Sequence, residues 1–233
     1  MAPARRGRGG GWGNGGDGRG ASRPFVRRGG RWSVPRWWPG RTVVCIASGP
    51  SLSDRDIEIV RNAREADRCR VIVVNRSYER ARWADILYGA DVSWWRAAAN
   101  APGFHGLKVC VEEIEFRDVL VLGYRDEAHG LSCDPDALHC GGNSGYQAVN
   151  LAVLLGASTV ALLGYDMRFG PHGEKHWHPD HVGRNPEDKV LARWAREFET
   201  MLPDLERAGT KVVNCTATSA IECFSFADIS EVL

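Results

Sequence analysis

Seven short stretches of this 233-residue chain are nearly unbroken apolar runs: Thr42–Ala47, Val71–Val74, Ile86–Ala90, Lys108–Val111, Val119–Leu122, Thr159–Leu163 and Lys211–Asn214. A strand with one wet face alternates apolar and polar residues; these do not, so both of their faces must be covered. Helical patterns stand between them, at Asp54–Ala66, Ser144–Leu155 and Pro186–Ala208. The second of these aligns Ala148, Leu151, Ala152 and Leu155 on one face. Buried strands separated by helices predict an α/β fold, a single doubly wound, mostly parallel, Rossmann-like sheet over residues 41–233. There is no internal repeat.

Residues 1–40 read differently. They hold nine Arg, no Lys and one acid, Asp17, with 12 of the 27 glycines and four of the nine tryptophans. Their net charge is +8 in a chain of net +1, so the remainder carries −7. Stretches such as Arg5-Arg6-Gly7-Arg8-Gly9 have too little apolar surface to offset the entropy of ordering, which predicts a disordered basic tail. Trp37, Trp38 and Pro39 are the tail residues suited to pack on the domain edge. Arginine interleaved with tryptophan can grip phosphates and stack on bases, so nucleic acid is one candidate partner; a solubilising extension is the other reading. No apolar run approaches the roughly 18 residues of a membrane span, and no apolar signal segment is visible. The seven cysteines have no repeating spacing, which fits free thiols in a cytoplasmic protein.

In doubly wound sheets ligands sit beyond the carboxyl ends of the strands. Polar residues collect there: Ser48-Gly49-Pro50-Ser51, Asn75, Asp91, Asn143-Ser144-Gly145 and Gly164-Tyr165-Asp166. Ser51 or Ser53 is placed to cap one helix, and Asn143 or Ser144 a second, and helix N-termini favour phosphate. Asn75 and Asp91 are placed to read a base or ribose. Single turns of this kind are ordinary; four at successive strand ends predict a nucleotide crevice. Neither G-x-x-x-x-G-K-[ST] nor G-x-G-x-x-G is present, which argues against P-loop nucleotidases and ordinary dinucleotide oxidoreductases.

Four of the seven histidines fall within ten residues: His172, His176, His178 and His181. The run His176-Trp177-His178-Pro179-Asp180-His181 has the H-x-H-x-D-H form of metallo-β-lactamase-like hydrolases. That fold needs further ligands downstream, and no histidine follows His181. A smaller local metal site and a polar surface loop are alternatives. The preferred reading is a loop over the carboxyl edge that supplies a general base and cations for phosphate, with no bound metal.

With these residues placed, the chain resembles the Rossmann-type transferases related to the bacterial sialyltransferases of glycosyltransferase family 42. It is similar in pattern to the archaeal hydroxymethyl-dihydropterin pyrophosphokinases, to motility-associated glycosyltransferase-like proteins, and to small phage proteins, some labelled morphogenetic. The resemblance runs from Arg41 to Phe226. It rests on Ala47-Ser48-Gly49-Pro50-Ser51-Leu52 in place of a G-x-G-P-S turn, and on Asn75 closing the second strand. Asp91 closes the third, Asn143-Ser144-Gly145 opens a helix, and Leu163-Gly164-Tyr165-Asp166 stands in place of G-I-D. A histidine loop, a helix and Asn214-Cys215-Thr216-Ala217-Thr218-Ser219 follow.

The resemblance implies a glycosyltransferase-like enzyme that takes a nucleotide or nucleotide sugar as substrate, needs no cofactor, and transfers the sugar to a hydroxyl acceptor. Ser48, Gly49, Pro50, Ser51, Asn75, Asp91, Asn143, Ser144, Gly145, Gly164 and Asp166 would hold the nucleotide. His181 would be the base, with His178 and His176 in support. Those sialyltransferases carry two tyrosines after G-I-D that bind the leaving phosphate; here Phe169 and His172 occupy that region, and Arg168 or Lys175 would take over. Two alternatives stay open: an ATP-dependent pyrophosphokinase with Mg²⁺ on Asp91 and Asp166, and a non-enzymatic phage assembly protein in the host cytoplasm.

Overall fold

The computed structural model describes residues 30–126, 129–179 and 187–233. Ten strands and six α-helices follow one another in the described residues. They run β1 (Thr42–Ile46), α1 (Asp54–Glu65), β2 (Cys69–Val74), β3 (Ile86–Tyr88), α2 (Val92–Ala97), β4 (Leu107–Cys110), β5 (Val119–Val121), β6 (Gly123–Arg125) and β7 (Ala137–His139). Then come α3 (Ser144–Leu154), β8 (Thr159–Leu163), α4 (Asp188–Glu197), α5 (Leu202–Ala208), β9 (Lys211–Asn214), β10 (Ser225–Phe226) and α6 (Ile229–Val232). The fold is α/β and Rossmann-like, as the apolar runs predict.

Eight strands form one sheet in the order β10-β9-β8-β1-β2-β3-β4-β5, and every neighbouring pair is parallel. The chain builds outward from β1 in one direction through β5, then returns to lay β8 on the other side of β1. The order therefore reverses between β1 and β8, where Ile46 pairs with Leu163, and a crevice opens beyond the carboxyl ends at such a reversal.

Alternate residues of the buried strands feed two cores. Val43 and Cys45 of β1 join Ile72, Val74 and Tyr88 under α3, with Leu151, Leu155 and Phe198. Val44 and Ile46 point the other way, to Val71, Val73 and Leu87 under α1, with Ile57, Val60 and Ala63. Covering both faces is what lets the strands dispense with polar alternation.

Two boundaries differ from expectation. Residues 30–40 were expected to belong to the tail, but the stretch docks on the domain through some of its side chains, with Trp37 and Pro39 exposed. Trp32 is 1% exposed and donates its N–H to the Val121 carbonyl at 2.7 Å, extending the sheet beyond β5, and Val34 and Trp38 are buried. Truncating a fully buried tryptophan costs about 3–5 kcal/mol, so this stretch belongs to the folded body. Residues 1–29 lie outside the described residues.

The single long helix expected over 186–208 is broken. α4 ends at Glu197, a 3-10 turn covers Phe198–Met201, and α5 restarts with Pro203 in its first turn. Pro203 has no N–H for the Glu199 carbonyl four residues back, and the Leu202 N–H takes that carbonyl instead. None of the seven cysteines is in a disulfide. Among the described residues no helix is long and apolar enough to cross a membrane.

Candidate functional site

A cavity of about 930 Å³ opens at the carboxyl edge, where the strand order reverses. Its floor is the turn after β1 laced to the turn after β8. The Gly49 N–H donates to the Gly164 carbonyl at 2.8 Å. Glycine is required at 49 because a Cβ there would overlap the Asp166 carboxylate and lie 2.5 Å from the Gly164 carbonyl oxygen.

Asp166 braces this floor. Its carboxylate accepts the Ser51 N–H at 3.2 Å, the Ser51 hydroxyl at 2.8 Å and the Thr218 hydroxyl at 3.2 Å. Burial raises its pKa, and the bonds from Ser51 and Thr218 oppose the rise. These contacts revise two expectations. Ser51 is exposed, with its hydroxyl bonded to Asp166, and is not among the cavity's lining, and Pro50 packs beside Gly170. Asp166 does line the cavity, but its oxygens are committed to three donors, which leaves it a poor Mg²⁺ ligand.

Two helices begin here. Ser53, not Ser51, caps α1: its hydroxyl accepts the Asp56 N–H at 3.1 Å and donates to the Asp56 carboxylate at 2.7 Å. Asp54 and Asp56 in the first turn already satisfy the positive helix end. α3 is capped by the neutral Asn143, whose Oδ1 accepts the Tyr146 N–H at 2.9 Å, and its first turn holds no acid. Ser144 and Gly145 line the cavity, and among the described residues their N–H groups meet no protein acceptor. Gly145 is confined: a Cβ would stand 2.9 Å from the Tyr165 ring. Of the two helix starts, α3 is the one whose first turn carries no acid.

Three non-glycine residues in the cavity wall have left-handed backbone, Asn75 at φ 50°, Ala99 at φ 46° and Met167 at φ 48°. Such conformations persist where the surroundings impose them, and they cluster at working sites. Asn75 follows β2, and its buried Oδ1 has no hydrogen-bond partner among the described residues. Met167 precedes Arg168, which lines the cavity, is exposed and forms no ion pair among the described residues. Lys175 also lines it, with its ammonium 5.7 Å from the Phe169 ring centre. Asp91, before α2, makes no capping bond through its side chain. Desolvation and the nearby Glu112 hold its carboxyl above the usual range.

The histidine loop separates its members. His176 lines the cavity with Nδ1 3.3 Å from the Ser48 hydroxyl. His178 is buried with Nδ1 2.7 Å from the Pro179 carbonyl, and its ring stacks on His176 at 4.8 Å. His181 lies outside the described residues, as do Asp180 and Pro186. Among the described residues no three His, Cys, Asp or Glu side chains converge as a metal site. Trp177 anchors the loop: its N–H donates to the Ser48 carbonyl at 3.2 Å, and the Arg80 guanidinium lies 5.2 Å from its ring centre.

Sequence reasoning missed the aromatic walls. Trp94 of α2 and Trp194 of α4 both line the cavity, with Tyr78 beside them. α2 is six residues long, too short for a helical period to register, so nothing in the pattern marks Trp94.

No protein-family model matches the chain, and no curated protein is similar to it in sequence. Similarity to solved structures does exist. The Maf glycosyltransferase of Magnetospirillum magneticum AMB-1 superposes with a TM-score of 0.59 at 18% identity, over 90% of this chain. This chain spans 37% of that protein's length. The sialyltransferase CstII of Campylobacter jejuni, solved in complex with cytidine 5′-monophosphate, gives a TM-score of 0.49 at 11% identity over 82% of this chain and 86% of its own. The relationship is one of fold: a Rossmann-like domain distantly related to glycosyltransferase-fold proteins.

Proposed function

We propose that this domain binds a nucleoside phosphate at its carboxyl edge and transfers a sugar from a nucleotide sugar to a hydroxyl acceptor. The observation that carries the reading is the start of α3. Ser144 and Gly145, whose N–H groups meet no acceptor among the described residues, line the same cavity as Arg168. Backbone N–H groups, a helix dipole and a cation together stabilise a developing diphosphate or monophosphate charge, which is what a departing nucleotide requires. The fold shared with a glycosyltransferase supports the same class of reaction. The neutral cap at Asn143 matters, because an acid there would repel the leaving group.

The histidine loop supplies the base. His176 is the member that lines the cavity among the described residues, and the Ser48 hydroxyl orients its ring. His181 is the second candidate for the same role, and His178, buried against Pro179, supports the loop. An imidazole titrates near ~6.5 when unperturbed, which suits proton removal from a hydroxyl near neutrality.

A panel of nucleotide sugars, assayed for nucleoside phosphate release with and without a chelator, tests the reading. Release of one nucleotide that persists in the chelator is expected. It should fall by about 10²–10⁴ on replacing the histidine that serves as base. Turnover that requires ATP and Mg²⁺ would point instead to pyrophosphoryl transfer. Absence of any nucleotide binding would remove the enzyme reading.

A further inference from the structure

We propose that the α2 end of the cavity is a nucleobase subsite in which the base stacks on Trp94. This rests on the nucleotide reading above and assigns the far end of the same site.

The two ends of the cavity differ in chemistry. The β8 and α3 end is polar and cationic, with Ser144, Gly145 and Arg168. The α2 end is walled by Trp94, Ala97, Ala98, Ala99 and Pro102. On the side of Ala97, Ala98, Ala99 and Pro102 the wall is made of small side chains, which leaves room there for a second flat ring against Trp94. Aromatic stacking of this kind accepts a base without needing to match its hydrogen-bonding edge.

Trp94 is held in place before any ligand arrives. Gly89 ends β3 without a Cβ, and a Cβ there would stand 2.8 Å from the Trp94 ring. Tyr78 and Trp95 contact Trp94 in edge-to-face geometry, at 6.3 Å and 4.9 Å between ring centres. Trp95 is itself fixed by its indole N–H, which donates to the Gly89 carbonyl at 2.9 Å. A ring seated this way loses little rotational freedom on binding.

The small wall is also built with care. Ala99, Asn100 and Ala101 take left-handed backbone in succession, at φ 46°, 61° and 48°. The Lys108 ammonium holds this turn by donating to the Asn100 carbonyl and the Asp118 carboxylate, both at 2.8 Å. Strain of this kind survives only where the surroundings force it, and here it shapes the end of α2 that lines the cavity.

Spacing favours a base over the transferred sugar. Arg168 follows β8 and Trp94 follows β3, which are three places apart in the sheet. Three interstrand steps of about 4.8 Å make roughly 14 Å, the reach from the terminal phosphate of an extended nucleoside diphosphate to its base. The sugar, attached beyond that phosphate, then falls on the histidine side, away from Trp94.

Titration calorimetry with four nucleoside diphosphates and with inorganic pyrophosphate tests the assignment. Wild type should bind at least one nucleoside diphosphate tighter than pyrophosphate. Trp94→Ala should weaken that nucleotide roughly ten-fold or more and leave pyrophosphate unchanged, whereas Trp94→Tyr should keep most of the affinity. A merely structural role would weaken both probes alike. If circular dichroism shows Trp94→Ala to be unfolded, Trp94→Leu carries the same expectation. Equal nucleotide affinity in wild type and variant overturns the subsite and leaves nucleotide binding standing. A variant that loses only nucleotide-sugar affinity overturns it in favour of a sugar platform. Wild type that binds neither probe overturns the functional reading, and this inference with it.

Discussion

Helices α1 and α3 both begin at the carboxyl edge of the sheet, and each is capped by a side chain that accepts the N–H three residues on. There the likeness ends. Around α1 the charges are closed on the protein itself: Asp54 pairs with Arg80, Arg55 pairs with Asp228 at 3.1 Å, and Asp56 closes on Ser53. Around α3 the cap is neutral, the first turn has no acid, and Arg168 lines the adjoining cavity with no ion pair among the described residues. A helix N-terminus is a potential anion site only where the chain has not already supplied the anion. On the proposed function, the α1 side of the crevice serves as a structural buttress and the α3 side as the anion site.

The largest expected effect tests the buttress. Gly49→Ala drives a Cβ into the Asp166 carboxylate and the Gly164 carbonyl, so it should destabilise the fold by about 3 kcal/mol, read by denaturant titration. An unchanged midpoint would mean that the two turns are not laced together. Next comes ligand-linked stability. A nucleotide at 100 times its dissociation constant should stabilise wild type by about 2.7 kcal/mol, and Ser144→Trp should erase that gain by filling the start of α3.

The two caps separate structure from binding. Ser53→Ala and Asn143→Ala should each cost about 1 kcal/mol of stability, but only Asn143→Ala should also weaken nucleotide binding. Equal losses of affinity would break the contrast between the helices. The smallest effect concerns pH. Burial holds the Asp166 pKa above its ordinary 3.8, so the folded state binds this proton more readily than the unfolded. Its contribution is fully present below pH 3.8 and is lost as pH rises through the folded value. Melting curves of Asp166→Asn and wild type should therefore shift in favour of the variant as pH rises from 3.8 through the folded value, and run parallel above it. A difference that is flat with pH would show that the carboxylate carries no such proton linkage.

The sheet was legible because burial on both faces writes itself into sequence as unbroken apolar runs. β8 and β9 fall on the expected residues, Thr159–Leu163 and Lys211–Asn214. β6 and β7 were not legible: each is three residues long, and β6 includes the exposed Tyr124 and Arg125. Trp32 was hidden by its neighbours, since an Arg- and Gly-rich setting outweighs one tryptophan in any compositional reading, yet one backbone bond to Val121 recruits it to the sheet edge. In the site, Ser48, Gly49, Asn75, Ser144 and Gly145 could be read because strand ends and helix starts are local features. Trp94 could not, because only the tertiary fold brings α2 to the cavity. The bond from Ser51 to Asp166 could not be foreseen either, since the two lie 115 positions apart.

The contrast between the two helix starts is tested most directly by one titration. A nucleoside diphosphate is added to wild type, to Ser144→Trp and to Ser53→Ala, with heat of binding as the readout. Binding to wild type and to Ser53→Ala with similar affinity, and none to Ser144→Trp, is the predicted result. Binding that survives in Ser144→Trp and disappears in Ser53→Ala would place the anion site on α1 and contradict the account.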